Sequence, residues 1–180
     1  MGDLRANALS NCAFIKSITL SNGLTEIGEN AFRDCRNLET VVIPNSVTKI
    51  GRYAFWWCNV LKSIILPDGL TEIGECAFFD CRNLETIVIP NSITKIDPYV
   101  FSYSGLKSII LPDGRLTEIG GYAFRYCRNL ETVVIPETVT KIGRDAFAYS
   151  GLKSIILPYG AKIGEDAFYG CRNLVVNYRN

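Results

Sequence analysis

Histidine is absent from all 180 residues. Its absence removes the commonest general base and the commonest metal ligand together, and with them any serine–histidine or cysteine–histidine nucleophilic device built from this chain alone. An excess of either charge is lacking too, since nineteen Lys and Arg stand against eighteen Asp and Glu for a net of +1. Such a balance provides no global field to gather nucleic acid or an anionic membrane, so neither is expected as a partner. No apolar run approaches the length of a membrane span, and membrane insertion is not expected. The opening MGDLRANALSNC has neither the charged nor the apolar region of a signal peptide. A cytoplasmic chain, a leader outside this sequence and another export route all remain open. No N-x-S/T acceptor and no phosphate-binding glycine loop occurs. With 48% hydrophobic residues the chain is not disordered, and its length fits one domain over 1–180. No enzyme activity, cofactor or metal site is expected.

What the chain does have is repetition. Leu9, Phe32, Phe55, Phe78, Phe101, Phe124, Phe147 and Phe168 recur at 23 residues, with 21 at the last step. One unit reads AFRDCRNLETVVIPNSVTKIGRY, from Ala31 to Tyr53, and eight registers fit, the first degenerate and the last cut short. Self-similarity at such a period is the mark of a solenoid. Within a unit, Leu38 to Pro44 reads as a strand buried on one side and stopped by proline, as at Pro67, Pro90, Pro112, Pro136 and Pro158. Val47 to Ile50 reads as a short extended return. A glycine column follows (Gly28, Gly51, Gly74, Gly120, Gly143, Gly164), expected to supply a backbone conformation that other residues resist. Asp97 breaks that column, and aspartate tolerates such a conformation. Ala31-Phe32, with Cys35 following, reads as a single helical or 3-10 turn. Stacked parallel strands roughly 4.8 Å apart then give a rod about 40 Å long, with the phenylalanines as an aromatic spine.

The true period is two coils. RNLET units (Arg36, Arg82, Arg128) alternate with LKS units (Leu61, Leu106, Leu152). After the first strand leucine the series Lys16, Glu39, Lys62, Glu85, Lys107, Glu131, Lys153 alternates in sign. The return segments repeat the pattern with Glu26, Lys49, Glu72, Lys95, Glu118 and Lys141, until Lys162 spoils it. Each Glu is therefore expected between two Lys, at roughly 0.2–1 kcal/mol per apposed pair. These ladders either hold register and solubility or form a charged strip that reads a partner.

The pattern AFxxC…L..V.IP…V..IG resembles the BspA-like leucine-rich repeat family over nearly the whole chain. That resemblance implies a right-handed repeat solenoid of the leucine-rich β/α type, rich in β structure. It places a parallel sheet on one face and short return strands and turns on the other. It also implies a cell-surface or secreted protein concerned with adhesion and with binding host-surface or matrix proteins.

Two faces offer candidate binding residues. On the strand face Val42, Ile65, Val88, Ile110 and Val134 point away from the core beside Thr40, Ser63, Thr86, Ser108 and Thr132. Such a file is either a sticky groove or strand propensity repeated on a uniform surface. Beside the core phenylalanines stand Trp56, Trp57, Phe79, Tyr103 and Tyr126, residue types that anchor interfaces. The competing reading is aromatic packing between adjacent turns.

Six of the seven cysteines (Cys12, Cys35, Cys58, Cys81, Cys127, Cys171) share one column, with Ser104 and Ser150 in its other places and Cys76 outside it. Interchange with serine fits a small buried slot better than a disulfide framework, and a line of thiols does not converge on zinc. Oxidation of Cys35 with Cys58 depends on geometry. Two functions follow: a non-enzymatic protein-binding or adhesion scaffold, or a structural segment that self-associates end to end.

Overall fold

The structure, a computed structural model, describes residues 2–179. Fifteen short strands succeed one another. They begin with β1 (Gly2–Leu4), β2 (Ser17–Thr19), β3 (Leu24–Ile27), β4 (Thr40–Val42), β5 (Lys49–Ile50) and β6 (Glu72–Ile73). Next come β7 (Thr86–Val88), β8 (Lys95–Ile96), β9 (Ser108–Ile110), β10 (Glu118–Ile119) and β11 (Thr132–Val134). The last are β12 (Lys141–Ile142), β13 (Ser154–Leu157), β14 (Lys162–Ile163) and β15 (Val175–Tyr178). Every pairing is parallel and joins successive coils. Coils are numbered here from 1 at Leu9 to 8 at Phe168. In β4, β7 and β11 an inward Val or Ile stands between an outward Thr and an outward Val, so one side packs inward and the other meets solvent.

The expected helical turn does not form. Among the described residues there is no helix, and the segment around each core phenylalanine is a run of linked turns. Its N–H groups alternate in direction. Ala31, Arg33 and Cys35 donate to Gly28, Asn30 and Phe32 within the coil, whereas Asn30, Phe32 and Asp34 donate to Arg52, Ala54 and Trp56 of the next. Three such bonds join each successive pair from coil 1 to coil 8, which makes this the one hydrogen-bonded ladder without a break. A helix would spend all these donors inside its own turn. The alternation requires positive φ at two places per coil, as at Asn30 (55°) and Asp34 (61°). The third residue of a type II turn has that conformation.

The core is one continuous cluster from Leu20 to Ala167. Phe32, Phe55, Phe78, Phe101, Phe124 and Phe147 are fully buried and stack with ring centroids 4.9–5.6 Å apart. The spine read from the sequence is therefore present.

The glycine column has a different cause from the expected one. None of its members has positive φ. Each lies so close to the preceding coil that a Cβ would meet main-chain atoms, at 2.7 Å from Arg52 N for Gly74 and 2.4 Å from Gly121 N for Gly143. Asp97, likewise outside the positive-φ residues, shows the consequence of a side chain there. The return sheet is split into β1-β3-β5-β6 and β14-β12-β10-β8, with the gap between coils 3 and 4, where Asp97 meets Gly74. Gly51, Gly74, Gly120 and Gly143 donate to Ile27, Ile50, Ile96 and Ile119, and the series skips Asp97. The threonine series Thr48 to Thr25, Thr71 to Thr48 and Thr117 to Thr94 skips Thr94 to Thr71 in the same way. On the strand face that junction keeps only the single bridge Ser63–Thr86.

Candidate binding faces

The strand face carries its apolar file in the open. Val42, Ile65, Val88, Ile110 and Val134 are 56%, 85%, 58%, 62% and 47% exposed. The pleat dictates this, because Val41, Ile64, Ile87 and Val133 beside them turn inward and are buried. Along the file run two shallow grooves. One of about 550 Å³ is lined by Val88, Ile110, Pro112, Val134 and Pro136, and one of about 350 Å³ by Ile65, Leu66, Val88 and Pro90. The wider groove lies where β9 and β11 are not paired, so the sheet opens between coils 5 and 6.

The charge ladders are in register but only partly closed. On the return side Lys49 stands between Glu26 (3.8 Å) and Glu72 (3.5 Å), and Lys141 meets Glu118 at 2.7 Å. Lys95 turns instead to Asp97 of its own coil, at 2.8 Å. Beside the strands Glu85 pairs with Lys107 (2.8 Å) and Glu131 with Lys153 (2.6 Å). Glu39 makes no ion pair among the described residues, so the expectation of a Lys on either side of every Glu is not met in the strand column, and each paired Glu there has one Lys.

The turn face brings the sequence-selected aromatics together as one stack. Trp56 lies 5.3 Å from Tyr53 and from Trp57, and 5.9 Å from Phe79. Phe79 leads to Tyr103 (5.4 Å), which stacks on Tyr126 (4.6 Å) and so on Tyr149 (4.9 Å). Trp56, Phe79 and Tyr126 are half-buried, whereas Trp57 and Tyr103 are 37% and 42% exposed. Arginines cover what rings leave open, Arg33 at 4.1 Å over Trp56 and Arg125 at 5.0 Å over Tyr126. Trp57, Tyr103, Tyr126 and Tyr149 all occupy the second positive-φ place of their coils. A bulky residue there costs about 1–2 kcal/mol, and a stacked aromatic pair returns about 0.5–1.5 kcal/mol. The stack thus offsets backbone strain within the fold.

The cysteine column has a bonding role that the sequence did not show. Cys35, Cys58, Cys81, Cys127 and Cys171 each point Sγ at a main-chain oxygen of the preceding coil (Leu9, Phe32, Phe55, Phe101, Phe147) at 3.0–3.2 Å. Ser104 and Ser150 sit 3.3 Å from the thiols of Cys127 and Cys171. All seven cysteines are free thiols. Burial pushes the Cys127 thiol up to about 12 and raises Cys58 and Cys81 well above the ordinary thiol range. Such groups are poor nucleophiles.

A parallel β-solenoid with inward leucine, valine and phenylalanine columns is a leucine-rich repeat scaffold. The model of the BspA type leucine rich repeat region matches residues 2–114 and 48–175, in 6 copies. The chain belongs to the BspA-type leucine-rich repeat family. Among solved structures it is similar to a leucine-rich repeat protein of T. pallidum, with 26% identity and a TM-score of 0.68 over 96% of this chain and 71% of that one. It is also similar to a leucine-rich repeat protein from Bacteroides ovatus, with 26% identity and a TM-score of 0.56 over 96% of this chain and 57% of the other. A leucine-rich repeat protein from Eubacterium ventriosum shares the fold at 21% identity, with a TM-score of 0.56 over 91% of this chain and 60% of that one. No curated protein matches the chain.

Proposed function

We propose that the chain is a non-enzymatic scaffold that takes a protein partner along its strand face. The observation that carries this reading is the file from Val42 to Val134, exposed in each of five successive coils and bordered by grooves from Ile65 to Val134. Contiguous exposed apolar surface of this kind is a mark of interaction sites. The aromatic turn offers less free area, since its rings cover one another. Adhesion to host-surface or matrix proteins, and a place at the cell surface, go with this reading through the family resemblance. The experiment is binding of the full chain to a panel of purified matrix proteins, with Ile65→Lys, Val88→Lys and Ile110→Lys combined. These outward positions leave the core intact, so circular dichroism should stay unchanged and melting should fall by only a few degrees from apposed lysines, while binding is lost. Undiminished binding by the folded variant would overturn the strand-face assignment.

A further inference from the structure

A second surface, at the border of the turn and strand faces, shows a selective pattern. Arg36, Arg82, Arg128 and Arg172 share one column, one in every second coil. In coils 2 and 4 the guanidinium is tied to an aspartate two residues earlier, Arg36 to Asp34 at 2.6 Å and Arg82 to Asp80 at 2.7 Å. In coils 6 and 8 the aspartate is replaced by Tyr126 and Gly170, and neither Arg128 nor Arg172 is in an ion pair among the described residues. Arg128 rests 5.8 Å over the Tyr126 ring.

Between these arginines the chain dips. Coils 5 and 7 are one residue shorter here, with Ser104-Gly105 and Ser150-Gly151 where coil 3 has Cys58-Asn59-Val60. Only glycine fits the shortened path, because a Cβ would fall 1.9 Å from Arg82 O at Gly105 and 2.1 Å from Arg128 O at Gly151. The dip in coil 5 is a recess of about 380 Å³ walled by Arg82 with its paired Asp80, Tyr103, Tyr126 and Arg128. It adjoins a groove of about 460 Å³ that runs past Arg128 to Lys107 and to Glu131, whose carboxylate is held by Lys153. Arg128 thus stands between two dips, with Tyr103 beside one and Tyr149 beside the other.

We propose that this ridge binds a linear acidic polysaccharide carrying one carboxylate per disaccharide, with Arg128 and Arg172 as its carboxylate contacts. Successive free guanidiniums are two coils apart, about 10 Å at the usual strand spacing. A β-extended acidic peptide presents same-face side chains about every 6.6 Å and falls out of step, and a polyproline II peptide, with same-face side chains about every 9.3 Å, is distinguished by the polyglutamate arm of the test. A nucleic-acid strand carries a phosphate about every 3.4 Å, too dense for two free cations with Asp80, Glu85 and Glu131 alongside. A uronate glycan has sparse charge on the two-coil length scale. Guanidinium donates to a carboxylate bidentately, and the Tyr103 and Tyr126 rings that wall the recess suit sugar rings. The arginines lie outside the strand-face file, although Thr132 lines a groove of each, so failure of the glycan assay leaves the protein-binding reading standing.

The molecule supplies its own knockout. Tyr126→Asp should tie back Arg128 as Asp80 ties Arg82, at a position where aspartate already occupies the same positive φ in two other coils. Calorimetric titration of the full chain with hyaluronan octasaccharide, heparin octasaccharide, a neutral chitin oligosaccharide and polyglutamate reads the outcome. Hyaluronan should bind best, Tyr126→Asp and Arg172→Ala should each weaken it at least tenfold, and Arg36→Gln should leave it unchanged. Equal binding by Tyr126→Asp, preference for heparin or polyglutamate, or no hyaluronan binding would overturn the proposal.

Discussion

Replacing Gly143 by alanine tests whether close approach, and not backbone freedom, fixes the glycine column. The new Cβ would lie 2.4 Å from Gly121 N, 2.7 Å from Gly120 C and 2.8 Å from Gly121 Cα, all main-chain atoms that cannot yield separately. The coils must part, as they do at Asp97. Two bonds are then at stake, Gly143 N to Ile119 O (2.7 Å) and Thr140 N to Thr117 O (2.9 Å). At about 1 kcal/mol each, with further loss from imperfect resolvation, they amount to roughly 2–3 kcal/mol. Alanine recovers about 0.4–1 kcal/mol by restricting the unfolded chain. The net loss is about 1–2.6 kcal/mol, which for a domain of this size lowers Tm by about 2–10 °C. Gly69 supplies the matched control, because its Cβ would meet nothing nearer than Asn45 O at 3.9 Å and its φ is not positive. Gly69→Ala should raise Tm by about 1–4 °C. Paired thermal melts decide the matter, with hydrogen exchange at the Thr140 amide as the local probe. A Gly143→Ala protein that melts with the wild type, or exchanges no faster at Thr140, refutes the reasoning.

Asp97→Gly should close the seam between coils 3 and 4, seen as slowed exchange of the Thr94 amide. Its net stability change should be within about 1 kcal/mol, since new main-chain bonds are offset by glycine entropy and the lost Lys95 pair. Alkaline pH should destabilise the fold. Burial lifts the folded pKa of Cys58, Cys81 and Cys127 above the unfolded value near 9.0, so above pH 9 the unfolded chain releases protons that the folded chain keeps. Each thiol should cost about 1.4 kcal/mol per pH unit in that range. Urea unfolding from pH 8 to 11 should show this slope. The triple serine variant, which repeats at these positions the residue already present at Ser104 and Ser150, should flatten it. Glu85→Gln and Glu131→Gln, which remove an ion pair without adding a like charge, should each lower Tm at low salt by about 1–3 °C, whereas Glu39→Gln, without an ion pair, should not; equal effects from all three would contradict the contacts.

The periodic columns were legible because burial acts on each residue type directly. Phe32 through Phe147 had to be inside, and Val41 and Val42 had to face opposite ways. The turn was misread as helical because Ala-Phe-x-x-Cys has helix-like spacing. Its real conformation depends on donors shared with the next coil, which one unit's sequence does not display. The signal available was the recurrence of Asn30, Asp34, Asp80, Asp145 and Asp166 at the positive-φ places, blurred by tyrosine and tryptophan in the same columns. The dips at Gly105 and Gly151 were also marked, by loops one residue short, but a missing residue says nothing about where the chain then goes.

By itself the sequence determined a stacked parallel solenoid, its inward spine, the outward apolar file and the alternation of charge from coil to coil. These follow from periodicity, since hydrophobic burial selects one face of each short strand. Only the tertiary structure decided why glycine recurs, where the sheets part, which acids reach their lysines and which arginines stay unpaired. Those depend on distances between coils, set jointly by residues one full turn of the solenoid apart in the chain.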